Sequence, residues 1–235
     1  YSPEEGDKLI AEKQWEALPN YLMNNPYRIL PVVDVSGSMS GSPFRTTGPA
    51  PMDVSVSLGI YIAERNNGPF KDHFLTFSGA PTLQRLKGEN LFDKVQHLKR
   101  ADWGMNTDIE ATFNLILSQA MSNNIMEEDM PNMILILSDM EFDAAASGTY
   151  TSTAMDSIRD KYAEAGYKLP NIVFWNLAAR GSNIPVKFDE LGTALVSGFS
   201  PSILVQILSA GEITPEAIMN EVLDSERYSA ISKQS

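Results

Sequence analysis

Three short stretches constrain the fold of this chain most: Ile29 to Val35, Met133 to Leu137 and Ile172 to Leu177 are apolar at nearly every position. A strand with one face in water alternates apolar and polar residues, so runs apolar on both faces belong to strands covered on both sides. Such strands are the interior of a parallel sheet, and these three are expected to be its centre. Pro31 interrupts the first run. Proline cannot donate to a ladder, which places it, as an expectation, at the first position of its strand.

Helical patterns fill the gaps between the runs. Val54, Leu58, Tyr61, Ile62 and Arg65 recur at helical spacing until Asn66-Asn67-Gly68-Pro69 ends the pattern. Ile109, Phe113, Ile116, Leu117 and Ala120 repeat it, opened by Thr107 with Glu110 at capping-box spacing. Met155, Ile158, Tyr162 and Ala165 make a further helix closed by Gly166, and Asn90 to Leu98 another. Ser200-Pro201 and Thr214-Pro215 each read as an N-cap followed by proline at the first helical position. The first 27 residues read as a lead-in helix from Pro3 to about Leu18, with Leu9, Ile10, Trp15, Leu18 and Leu22 as its packing positions.

One link breaks the alternation of strand and helix. Phe74 to Phe77 and Thr82 to Leu86 are joined only by Ser78-Gly79-Ala80-Pro81, too short for a parallel crossover, so they form a hairpin. The expected fold class is therefore α/β, a mostly parallel central sheet with one antiparallel edge strand and helices on both faces. The expected domain layout is a helical lead-in over 1–27, the main domain over 28–210, and a C-terminal helix and tail over 211–235.

Composition narrows the function classes. Eighteen basic against thirty acidic residues leave a net charge of −12, which disfavours phosphate backbones and anionic membrane surfaces as direct partners of this segment. No apolar run reaches the length of a membrane span. There is no cysteine, which removes disulfides, thiolate metal sites and cysteine nucleophiles. With no signal-peptide layout, a cytoplasmic location is expected. The chain opens on Tyr1 rather than Met, and the expectation is a part of a longer chain or complex.

The chemistry concentrates at the end of the first apolar run, in Asp34-Val-Ser36-Gly-Ser38-Met-Ser40-Gly41. A carboxylate followed by two hydroxyls on a glycine-loosened turn can turn three oxygen groups toward one point. Oxygen-only ligation suits a hard divalent cation, and magnesium fits best because it needs only one or two carboxylates and keeps some waters. Thr107, at the start of a helix, and Asp139, just past the second apolar run, are two further oxygen groups at equivalent places. In open parallel sheets, ligands sit at the strand carboxyl ends where strand order reverses.

Asp34-Val-Ser36-Gly-Ser38, Thr107-Asp108 and Ser138-Asp139 together resemble the metal-ion-dependent adhesion site (MIDAS) of von Willebrand factor A domains, a resemblance running from about Ile29 to Leu208. It implies a Rossmann-like fold. Trp103 to Thr107, Leu137 to Asp143, Phe174 to Leu177 and Leu195 to Ser200 further resemble a family of intracellular proteins whose A-type domain forms the C-terminal part of a longer chain. The Ro-type RNA-binding proteins carry a related A domain. The resemblance implies that Ser36, Ser38 and Thr107 offer hydroxyls to magnesium or manganese, and that Asp34 and Asp139 bind it directly or through water. A carboxylate from a protein partner, an Asp or Glu, then completes the shell.

Plainer readings stand beside these. Thr107 is explained equally by its capping box with Glu110, and Asp139 by the end of a strand. Glu141 and Asp143 read as solvated loop charges. The turn from Gly37 to Gly41 lacks the helix and the late histidine of a hydrolase nucleophile elbow. His73 and His97 are the only histidines, and both are expected beside the hairpin, away from the strand ends. Ser36 stands where a phosphatase-like site would need a second carboxylate. The expected function is thus a divalent-cation-dependent protein interaction module that is not an enzyme. The alternative is a structural or scaffold domain of a ribonucleoprotein or viral assembly, in which the metal only orders the loops.

Overall fold

A computed structural model of the chain describes residues 5–40, 49–76, 81–101, 109–139, 152–177, 192–198, 200, 202–209 and 214–223. The order of elements is α1 (Glu5–Glu16), β1 (Ile29–Val33), a 3-10 turn (Gly37–Ser40), α2 (Pro51–Arg65), β2 (His73–Thr76), β3 (Leu83–Arg85) and α3 (Leu91–Lys99). Then follow α4 (Ile109–Ser122), β4 (Met133–Ser138), α5 (Ser152–Glu164), β5 (Asn171–Asn176), β6 (Thr193–Ser197), α6 (Ser202–Ser209) and α7 (Pro215–Leu223). The six strands form one sheet in the order β3-β2-β1-β4-β5-β6, and only the β2–β3 hairpin is antiparallel. The expected α/β architecture is what the chain adopts, with the three apolar runs as β1, β4 and β5. β6 extends the parallel part of the sheet beyond β5 and no apolar run announces it, because it is an edge strand buried only at its first two residues.

Alternation of side chains divides the core in two. Ile29, Val33, Met133, Leu135, Leu137, Val173 and Trp175 pack on one face with α2, α3 and α6. Leu30, Val32, Ile134, Ile136, Ile172 and Phe174 pack on the other with Phe113 and Ile116 of α4 and Ile158 and Tyr162 of α5. Gly59 sets the spacing of α2 on β1, since a Cβ there would lie 2.5 Å from Val33 Cγ2. Gly166 ends α5 at φ +81°, a left-handed conformation that favours glycine. Thr214 caps α7 as its sequence suggests, accepting the Ala217 N–H at 3.1 Å.

Two expectations need correction. Pro31 is the third residue of β1, paired with Leu135, and does not open the strand. The Asp34 N–H points to β4, so by alternation the nitrogen of Pro31 faces the β2 side, where pairing begins only at Val32. No ladder bond is lost. The gap beside Pro31 is filled by the buried Asn66, whose Nδ2 donates to the Ile29 carbonyl at 2.9 Å.

The lead-in follows its apolar pattern only in part, with Leu22 buried and Trp15 packed on the core. Leu9 and Ile10 are 62% and 58% exposed, and no residue of α1 is buried. Trp15 packs on the core and edge-on against Tyr61 at 6.1 Å, and polar contacts add to it: Trp15 Nε1 donates to Glu64 Oε2 at 2.8 Å, Arg65 donates to the Trp15 carbonyl at 3.2 Å, and Glu12 accepts the Leu91 N–H at 2.6 Å. Among the described residues no helix is long and apolar enough to cross a membrane.

Candidate metal centre

Strand order reverses between β1 and β4, and the residues that leave the carboxyl ends of these two strands meet there. Asp34 continues the β1 ladder one step past the strand, its N–H donating to the Leu137 carbonyl at 3.0 Å. The same register carries Asp34 opposite Ser138, whose Oγ donates to Asp34 Oδ2 at 2.7 Å. Asp34 Oδ1 accepts the Ser36 N–H at 2.9 Å, closing a tight Asx turn. Buried Val35 and Met39 root this turn in the core, and Met39 N–H donates to the Ser36 carbonyl at 3.1 Å.

The turn brings two hydroxyls together. Ser36 Oγ and Ser38 Oγ lie 2.9 Å apart, the first half-buried and the second exposed. Asp34 and Asp139 sit deeper, at 6% and 3% exposure. Burial pushes the Asp34 carboxyl above its usual range. The Ser36 N–H and the Ser138 and Ser36 hydroxyls oppose that shift, while the negative charge of Asp139 adds to it. None of these influences is a positive charge. Asp139 thus acts on Asp34 electrostatically across the β1–β4 junction.

Two buried carboxylates at adjoining strand ends, with two hydroxyls in the turn that follows the first, fit an oxygen-only site for a hard cation. Among the described residues no three His, Asp or Glu side chains gather into a group. Asp34 and Asp139 with the neutral hydroxyls offer at most two carboxylates, a combination that would suit an ion keeping part of its water.

Asp34, Ser36 and Ser38 lie together as expected, with Asp139 electrostatically coupled to Asp34. Thr107, the fifth expected ligand, lies outside the described residues, as do Asp108, Glu141 and Asp143. Glu110, its expected capping partner, accepts Lys161 Nζ at 2.9 Å. Both histidines lie by the hairpin. His73 opens β2 at the far end of the sheet, and His97 packs edge-on against Phe74 at 6.0 Å between ring centroids.

Sequence reasoning missed two residues of this centre. Ser138 orients Asp34, and fully buried Ser55 of α2 donates to the Leu137 carbonyl at 3.2 Å, tying the helix to the floor of the site. A signal for Ser138 existed: it is the polar end of an otherwise apolar strand next to Asp139, and strand register decides what it faces.

A mostly parallel six-stranded sheet with one antiparallel edge strand and helices on both faces is a Rossmann-like α/β fold of the kind found in von Willebrand factor A domains. The chain belongs to the family described as a domain of unknown function, DUF7788, whose sequence profile spans residues 28–235. It is 34% identical over 221 residues to an uncharacterized protein of Acanthamoeba polyphaga mimivirus, covering 93% of this chain and 37% of that protein. Its fold is similar to that of the Ro (RSR) protein of Deinococcus radiodurans, with a TM-score of 0.53 at 19% identity, covering 81% of this chain and 34% of the other. The chain thus spans little more than a third of either protein's length.

Proposed function

We propose that this domain is a divalent-cation-dependent interaction module, in which Asp34, Ser36, Ser38, Thr107 and Asp139 hold magnesium or manganese and an Asp or Glu of a protein partner completes the shell. The observation that carries this reading is the buried Asp34 carboxylate, raised above its usual range by burial and next by the charge of Asp139 at the adjoining strand end, in one turn with the paired Ser36 and Ser38 hydroxyls. Burying like charges together is costly, and a cation between them reverses the sign of that cost.

Asp34 and Asp139 balance a double positive charge, and the hydroxyls add none, so the bound ion supplies Lewis acidity toward one more oxygen. The α4 helix leads into β4, so its N-terminal end lies toward the same crevice and favours an anion there. Metal and acidic ligand should then bind with positive coupling, each raising the other's affinity by one factor. Glu141 and Asp143 bias the choice toward a ligand whose acidic group is flanked by basic residues. The module catalyses no reaction in this reading: both histidines lie by the hairpin, and the position two residues after Asp34, where a phosphatase-like site needs a carboxylate, is Ser36.

Titration calorimetry with magnesium on the wild type and Asp34→Ala tests the metal, with heat of binding expected only in the wild type. Partner capture with and without chelator tests the interaction. Capture that survives chelation and Asp139→Ala would favour a scaffold role, with the interface on another face.

A further inference from the structure

We infer that Ser138 is a positioning residue of this centre, its hydroxyl holding the Asp34 carboxylate in the orientation that receives the cation. The inference rests on the metal reading above and adds a residue to it. Asp34 is gripped from two elements: Oδ1 takes the Ser36 N–H at 2.9 Å and Oδ2 takes the Ser138 hydroxyl at 2.7 Å. The Ser36 hydroxyl is a third donor to the group, so three of its four acceptor sites are taken, its plane is fixed and one site is left for a further partner.

Ser138 is itself held firmly. It is 2% exposed, and its carbonyl accepts the Leu177 N–H at 2.9 Å. The carbonyl before it, that of Leu137, receives both the Asp34 N–H at 3.0 Å and the Ser55 hydroxyl at 3.2 Å. β4 reads Met-Ile-Leu-Ile-Leu-Ser, and every residue but the last is apolar. A buried hydroxyl at that last place costs free energy unless it is bonded, and Asp34 accepts its hydrogen. Partners of this kind, one bond removed from a metal, typically change metal affinity about 10- to 100-fold when removed.

Manganese binding followed by the paramagnetic resonance of the free ion, with circular dichroism as the check on folding, tests the assignment. Ser138→Ala should stay folded and bind manganese about 10- to 100-fold more weakly than the wild type. Ser138→Thr, which keeps the hydroxyl, should recover most of that loss. If Ser138→Ala does not fold, Ser138→Cys, nearly the same size but a weak donor, should show the same weakening. Binding by Ser138→Ala or Ser138→Cys at wild-type strength, with none by Asp34→Ala, would overturn the role of Ser138 and leave the metal site standing. Equal weakness in folded Ser138→Ala and Ser138→Thr would also overturn it, since the hydroxyl would then not be the operative group. A wild type that binds no manganese, or an Asp34→Ala that binds it equally, would remove the site and the positioning role together.

Discussion

Asp34 at the end of β1 and Asp53 in the first turn of α2 are the same residue type put to opposite uses. Burial raises the proton affinity of both. For Asp53 it is outweighed by the Lys99 ammonium at 2.7 Å and the Ala50 N–H at 3.0 Å, and its carboxyl lies below the usual range. For Asp34 burial prevails over the hydrogen bonds of Ser36 and Ser138, and the charge of Asp139 pushes the same way. Asp53 is a finished structural contact: helix N-terminus, backbone donor and cation are all supplied by the chain. Asp34 is held by neutral donors and backs onto a second carboxylate. That arrangement is the one the proposed cation would relieve.

The two elements that carry these aspartates touch at Gly59, and the largest expected effect comes from forcing them apart. Gly59→Ala puts a methyl 2.5 Å from Val33 Cγ2 in the core, and should lower unfolding stability by about 1–3 kcal/mol in denaturant titration. Next in size, and opposite in sign, is Asp34→Asn measured in chelator. Removing a buried charge that repels Asp139 should raise stability at neutral pH by on the order of 1 kcal/mol. The Ser138 hydroxyl can turn to accept from the new amide. Asp53→Asn should instead lower stability, by roughly 0.5 kcal/mol because solvent screens a pair whose carboxylate is 47% exposed.

The pH dependence of the chelated protein separates the two groups further. Asp34 binds its proton more tightly in the fold than in the unfolded chain. Its favourable contribution is complete below the usual value of 3.8 and is lost as pH rises from there through the raised folded value. Asp53 runs the other way: its contribution is present above 3.8 and is lost as pH falls through the lowered value. Stability curves of Asp34→Asn and Asp53→Asn against the wild type should therefore diverge on opposite sides of that pH. Curves that diverge on the same side would erase the distinction.

How much of this was legible in the sequence follows from which interactions are local. The central strands announced themselves because a doubly covered strand must be apolar throughout, and the hairpin because four residues cannot cross a sheet. Asp34, Ser36 and Ser38 lie in one turn and could be read as a unit, while Asp139 needed the inference that two strand ends adjoin. Ser138 was not singled out because its partner depends on a register that sets Val33 beside Leu137. Pro31 misled because its cost depends on which neighbour its nitrogen faces, and Asn66, distant in sequence, fills that gap. Of the apolar positions read in the lead-in, Trp15 and Leu22 pack on the core while Leu9, Ile10 and Leu18 stay exposed, and Glu12 adds a polar tie to α3. β6, half-buried at one edge, carries too little apolar pattern to be seen.

Unfolding stability followed as magnesium is added, in the wild type and in Asp34→Asn, tests most directly whether the buried carboxylates await a cation. Wild-type stability should rise with magnesium concentration, by about 2.7 kcal/mol at a hundred times the dissociation constant. Asp34→Asn should start higher in chelator and stay flat, so that the two curves cross. Parallel curves, or a wild type as insensitive to magnesium as the variant, would contradict the account.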